Sequence, residues 1–277
     1  MAPARVSKYE FFSPEEVIRT YFREFAGSIQ NKSHSKALEY AQKVEKLRAH
    51  FATFLGIEDT HLVSFQFNQY YVNRLIFKYL KIDANWIIFS DDLELKTRFS
   101  ENQVYSLEKL LDHSNCNHKN KSLIWISKLK NINLELFEAV RNFKHQNKGT
   151  QCYVFLSLDY LLYSSPEISA FLREFSFLVF TPSVLFQEYG IVIFAFRKEI
   201  SLIPIFMGSG AAQFNRETKK LEFKKLPHLL EIGTQNIISL IILERYFFFL
   251  STSFEQISAR LRGTALNFNL SENLLPK

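Results

Sequence analysis

Between residues 36 and 196, apolar runs of strand length alternate with stretches of helical periodicity, and this alternation limits the fold more than any other feature of the chain. The strand candidates are Leu62–Phe65, Trp86–Phe89, Leu123–Ile126, Tyr153–Leu158, Phe177–Thr181 and Ile191–Phe196. Runs that are apolar at nearly every position cannot turn one side to water. Separated by helices, they predict an α/β fold with a mostly parallel sheet and helices on both faces. The last two candidates are too close together for a helical crossover, so one antiparallel strand is expected there.

The helices between them have their own signatures. Ala37, Ala41, Val44, Leu47, Phe51 and Leu55 recur at three or four residues, which predicts a helix over Lys36–Leu55 stopped by Gly56. Further helices are expected at Gln69–Leu80, Leu134–Asn147 and Ser165–Glu174. Residues 1–34 look like an arm with one short helix, started by the cap and acidic first turn of Ser13-Pro14-Glu15-Glu16. Gly208-Ser209-Gly210 opens a polar loop, and a very apolar helix, Ile237–Leu250, follows it. The expected organisation is an arm over 1–34, a large α/β domain over 35–250 and a remnant C-terminal segment over 251–277.

Composition excludes several classes. Net charge is +6, and the densest basic run, Arg216–Lys225 with Lys219, Lys220, Lys224 and Lys225, reads as a solvated loop or hairpin. A nucleic-acid surface would need aromatics beside those lysines for bases to stack on. The two cysteines, Cys116 and Cys152, lack C-x-x-C spacing and imply neither a disulfide framework nor a zinc site. Cys152 opens an apolar run and is expected to be a core thiol. Cys116, between His113 and His118, is expected in a solvated loop with too few ligands for a metal. The most apolar segments are broken by Arg197-Lys198-Glu199 and by Glu244-Arg245, so no membrane span is expected and the chain reads as cytoplasmic.

From Lys36 to Leu250 the order of segments resembles the class V pyridoxal-phosphate enzymes, specifically the cysteine desulfurases. Phe65-Gln66-Phe67-Asn68-Gln69-Tyr70-Tyr71-Val72 is similar to that family's F-T-x-N-A-T-E-A. Leu178-Val179-Phe180-Thr181-Pro182-Ser183-Val184-Leu185-Phe186, running on to Gly190-Ile191, resembles F-S-G-H-K-x-x-G-P-x-G-I. Glu231-x-Gly233-Thr234-x-Asn236, after Gly208-Ser209-Gly210, resembles G-G-G…F-E-x-G-T-x-N. The resemblance implies a fold type I large domain, with Gly233 and Thr234 as relics of a phosphate-binding segment that reaches across a dimer interface.

The same resemblance implies lost chemistry. Such enzymes hold pyridoxal phosphate through a lysine Schiff base, and Val184 matches that position. Independently of any alignment, no lysine occurs between Lys148 and Lys198. Lys198 itself, beside Arg197, reads as a solvent-facing strand end. The carboxylate that pairs with the pyridine nitrogen matches Ser157, with Asp159 two residues on and on the same face of a strand. The family's ring-side Gln matches Tyr160, its stacking His falls near Glu94 or Leu95, and its small phosphate cradle matches Gln69-Tyr70. The family's small C-terminal domain, with its persulfide-forming Cys and carboxylate-gripping Arg, matches at most the last 27 residues; these hold Arg260 and Arg262 but no Cys.

Other catalytic patterns are absent: no G-x-S-x-G, P-loop or H-E-x-x-H occurs, and Asp91-Asp92 is expected to be a loop face. The expectation is therefore a non-catalytic relative of the cysteine desulfurases, with no catalytic residues, no bound cofactor and no metal. It would act by pairing with itself or with a related pyridoxal enzyme. Two alternatives stand beside it: a desulfurase- or aminotransferase-type enzyme active with a partner chain, and a basic nucleic-acid-binding module, with nucleic acid the weaker partner.

Overall fold

The computed structural model describes residues 19, 35–100, 102–112, 121–127, 134–147, 151–158, 170–181, 191–206, 211–215, 217–231 and 236–244. Val184, Gly233, Thr234, Cys116, Asp159, Tyr160, Arg260 and Arg262 lie outside them. The chain divides into two compact units, one of residues 25–236 and one of residues 1–24 with 237–277.

In the larger unit the elements run α1 (Ser35–Phe54), β1 (His61–Gln66), α2 (Gln69–Leu80), β2 (Trp86–Phe89), α3 (Leu93–Arg98), β3 (Val104–Tyr105), α4 (Glu108–Asp112), β4 (Lys121–Ile126), α5 (Leu134–Gln146), β5 (Cys152–Leu158), β6 (Phe177–Phe180), β7 (Val192–Arg197), β8 (Ala212–Asn215) and β9 (Lys220–Phe223). Strands β1 to β7 form one sheet in the order β1-β7-β6-β5-β4-β2-β3. Strand β7 is antiparallel to both of its neighbours, and the other pairs are parallel. The expected antiparallel strand is thus present, placed between two strands that run the same way.

Strand alternation divides the core into two layers. One face carries Trp86 and Ile88, Leu123 and Trp125, Tyr153 and Phe155, Phe177 and Val179, and Val192, Phe194 and Phe196, as the cross-strand register requires. Tyr71, Val72, Leu75, Ile76 and Leu80 of α2 pack on it. These five positions follow the three-to-four spacing of a helix with one buried stripe. Aromatic rings stack across this layer. Arg98 lies 4.6 Å above the Phe77 ring, Phe77 stacks on Trp125 at 5.0 Å, and Trp125 stacks on Phe155 at 3.6 Å.

The opposite face carries Phe89, Ile124, Val154, Leu178 and Phe180, and α1 and α5 cover it. Phe51 of α1 meets Phe180 edge-on at 5.1 Å, and Phe143 of α5 meets Phe89 at 5.2 Å. With helices over both faces, sheet residues from Val154 to Phe196 are almost without exposed surface. Cys152, at the head of β5, is a free, half-buried thiol rather than a fully buried core thiol, and desolvation pushes its pKa up.

Differences from the sequence reading are local. The stretch expected to be a polar loop after Gly210 contains the hairpin β8–β9. Strand β3 is only two residues long and half-buried, too short to show a periodicity. In the smaller unit, residues 237–244 are helical, with Ile237, Leu240, Ile241, Ile242 and Leu243 buried. No helix among the described residues is long and apolar enough to cross a membrane.

Candidate functional site

In open α/β sheets the ends of parallel strands and the helix starts that follow them form the binding crevice, because backbone N–H groups and loop side chains converge there. Here β1 ends at Gln66, and α2 starts after Asn68. Asn68 is the helix cap: its Oδ1 accepts from the Tyr71 N–H at 2.7 Å, occupying one of the first-turn donors. Its match to the family's asparagine therefore has a structural role that needs no ligand.

The next residue reaches across to β5. Gln69 Nε2 donates to Ser157 Oγ at 3.0 Å. Ser157 is buried, sits near the C-terminal end of β5, and shares the sheet face covered by α2. Two strands, β7 and β6, lie between β1 and β5, so this bond carries the start of α2 well across the sheet. Nearby on β1, Gln66 Nε2 donates to Ser64 Oγ, and both residues are buried. Both of these hydrogen bonds join neutral groups. At the end of β6, Thr181 holds a buried hydroxyl with no hydrogen-bond partner among the described residues.

The other sequence-matched positions are dispersed. Glu94 is exposed on α3, and Leu95 is buried in the apolar layer. Tyr70 is 62% exposed, with Arg74 5.8 Å above its ring. The Asp91-Asp92 pair serves the backbone: Asp91 Oδ1 accepts from the Leu107 N–H at 3.2 Å, and Asp92 Oδ1 caps α3 through the Glu94 N–H at 2.9 Å. Lys198 is exposed and donates to the Glu58 carbonyl at 2.8 Å, a strand-end contact. No group of three or more metal-ligating side chains occurs among the described residues.

A second polar centre lies on the α1 face. Arg48 is buried and forks onto Glu231, with Nη1 2.7 Å from Oε1 and Nη2 3.1 Å from Oε2. Arg48 also donates to the Val63 carbonyl and lies 4.9 Å above the Phe65 ring. Glu231 Oε1 accepts the Phe65 N–H at 2.9 Å. Burial alone would push the Glu231 carboxyl up. The charge of Arg48 and the hydrogen bonds from Arg48 and Phe65, with His228 Nδ1 3.7 Å from Oε2, outweigh that and hold it below the usual carboxylate range. This cluster fastens the start of the 231–236 segment to α1 and β1. The sequence reading missed Arg48, although its signal is visible: it lies four residues after Val44, on the buried stripe of α1. A charge on a buried stripe requires a buried partner.

No family model matches the chain, and no curated protein does. Solved structures do match. A NifS-like protein superposes with TM-score 0.60 at 18% identity, over 91% of this chain and 68% of that chain. The NifS-like protein from Rickettsia africae ESF-5 gives 0.58 at 13% identity, over 95% and 74%. The fold is that of the pyridoxal-phosphate-dependent transferases. DndA from Streptomyces lividans matches with TM-score 0.52 at 16% identity, over 90% of this chain and 72% of that chain. The NifS-like chains and DndA fit the class V, cysteine desulfurase-like resemblance read from the motifs. A phosphoserine aminotransferase from Cytophaga hutchinsonii, at 0.57 and 11% identity over 87% and 67%, extends the transferase fold beyond them.

Proposed function

We propose that this chain is a non-catalytic relative of the cysteine desulfurases, in which the transferase fold persists without its covalent cofactor chemistry. The observation that carries this reading is the Gln69–Ser157 hydrogen bond of 3.0 Å. Pyridoxal phosphate in this fold requires a carboxylate beneath its ring nitrogen, open backbone donors for its phosphate, and a lysine for its aldehyde. At the matched positions Ser157 offers a neutral hydroxyl, and the Gln69 side chain occupies the approach to it. Asn68 already takes a first-turn donor. The sequence has no lysine between Lys148 and Lys198. These residues do not fit the cofactor, so no catalytic step is assigned.

The role that remains is association with a second copy or with a related, lysine-bearing chain. Supporting this is an exposed aromatic group beside the start of α2. Phe67 is 46% exposed and Phe206 61%, and both pack on the Tyr71 ring, Phe67 tilted at 4.9 Å and Phe206 stacked at 6.4 Å. Exposed rings gathered in this way suit a protein interface.

The deciding experiment incubates the full chain with pyridoxal phosphate, reduces with borohydride, removes excess reagent and maps adducts by mass spectrometry. No stoichiometric adduct at any single lysine is expected. A stoichiometric adduct at one lysine, lost when that lysine becomes arginine, would overturn the reading. Sulfide release from cysteine by the chain alone would overturn it as well.

A further inference from the structure

Away from the crevice, β8–β9 is a two-stranded ribbon with two unlike sides. Ala212 is opposite Phe223 and Phe214 opposite Leu221 in the register. Alternation then places Ala212, Phe214 and Phe223 on one side, and Asn215, Lys220 and Glu222 on the other. Phe214 is 58% exposed and Phe223 53%, so the apolar side faces outward with its two largest rings uncovered. They occupy diagonal positions, about 7–8 Å apart by strand geometry. That is wider than the ~3.4 Å rise between bases in a duplex strand, and it suits bases splayed from an extended single strand.

The ends of the ribbon are basic. Asn215 Oδ1 organises the turn by accepting the N–H groups of Glu217 and Thr218 at 2.9 and 3.1 Å, and Lys219 completes it with φ 53°. Lys219, Lys220 and Lys225 are exposed. The acidic residues of the ribbon are Glu217 and Glu222, and Glu222 accepts from Asn215 Nδ2 at 2.7 Å on the polar side. Paired exposed phenylalanines flanked by lysines are the two components a sequence-tolerant single-strand site requires, since rings stack on any base and ammonium groups neutralise phosphates. A second copy seated on this face would bring two sets of lysines together.

We propose that the β8–β9 hairpin is a docking surface for single-stranded nucleic acid, with Phe214 and Phe223 stacking on bases and Lys219 and Lys225, at the two ends of the ribbon, contacting phosphates. This surface is independent of the reading of the crevice.

Fluorescence anisotropy of a labelled oligothymidylate and a labelled oligouridylate, titrated with the full chain over a range of salt, tests it. Binding is expected to weaken with salt. Changing Lys219 and Lys225 to glutamine should reduce the log–log salt slope by about 1.4, from about 0.7 per phosphate contact. The corresponding double arginine variant should keep the parent slope, which separates charge loss from misfolding. Phe214→Ala and Phe223→Ala should each weaken binding on the order of tenfold with the slope unchanged. The proposal is overturned if neither oligonucleotide binds, if the phenylalanine variants bind like the parent, or if the glutamine variant keeps its slope. Equal competition by polyglutamate, or equal binding of a blunt duplex, would reduce the interaction to simple polyanion attraction and overturn it too. So would light scattering that shows a dimer broken by Phe214→Asp and no oligonucleotide binding by either form.

Discussion

Two buried polar centres lie on opposite faces of one sheet, and they are built on different terms. On the α1 face, Arg48 and Glu231 form a charged pair, and the neighbouring Val63 carbonyl and Phe65 N–H are bonded to it. On the α2 face, Gln69 at the start of α2 and Ser157 near the C-terminal end of β5 share one neutral hydrogen bond. The first centre ties together segments far apart in sequence, and it fails badly if one partner is removed. The second joins α2 to β5 through one neutral bond, and its loss should cost little. The charged centre needs no ligand to complete it, and the Gln69–Ser157 pair is neutral.

The largest expected effect tests the charged centre. Glu231→Gln leaves the Arg48 guanidinium buried without a counter-charge, and the unfolding free energy should fall by about 3–5 kcal/mol. Replacing both partners with apolar residues, as in Arg48→Met with Glu231→Leu, should recover much of that loss. Urea denaturation of parent, single and double variants measures both. A single variant within 1 kcal/mol of the parent would mean that the junction does not hold the fold.

Next is an acid dependence seated at the opposite end of β1. His61 is 3% exposed, its Nε2 lies 2.9 Å from the Phe175 carbonyl, and its Nδ1 is 2.7 Å from Thr60 Oγ1. Burial, with Arg197 and Lys198 nearby, outweighs the Phe175 hydrogen bond and pushes its pKa from 6.5 down to about 4. The folded protein thus binds the proton later than the unfolded chain does. The stability contributed by neutral His61 is complete above pH 6.5 and is lost as pH falls through 4. At about 1.4 kcal/mol per unit the full loss is about 3 kcal/mol. In His61→Gln the denaturation midpoint should fall less between pH 7 and pH 4 than in the parent. Parallel pH profiles would remove His61 from the account.

The smallest effect belongs to the crevice. Gln69→Ala removes one neutral hydrogen bond and should cost about 1 kcal/mol. It should still yield no reducible pyridoxal adduct, since no lysine is gained. A loss near that of Glu231→Gln would erase the contrast between the two faces.

The sheet was largely legible because buried parallel strands are apolar throughout. The six strand candidates all became strands, with ends moved by one or two residues, and α2 has the expected bounds of Gln69–Leu80. The short elements α3, β3 and α4 left no such trace: with two to six residues each, they cannot show a period. The site was legible in part. Ser157 and Gln69 were each marked by resemblance, but they are 88 residues apart in sequence, and only the packing of α2 over β5 brings them together. Arg48 and Glu231, 183 residues apart, carry a clue in the charge on a buried stripe, yet that clue names only one of the two partners.

The stacked rings under α2 also make the protein its own reporter. Its two tryptophans, Trp86 and Trp125, both belong to that layer, and each is 2% exposed. Their indole N–H groups have no hydrogen-bond partner among the described residues. Intrinsic emission should therefore be blue-shifted and should register water entering beneath α2, while it stays blind to events under α1. Far-ultraviolet dichroism sees every helix at once. When the two signals are followed together through denaturant, any gap between their midpoints measures how independently the crevice layer lets go of the sheet.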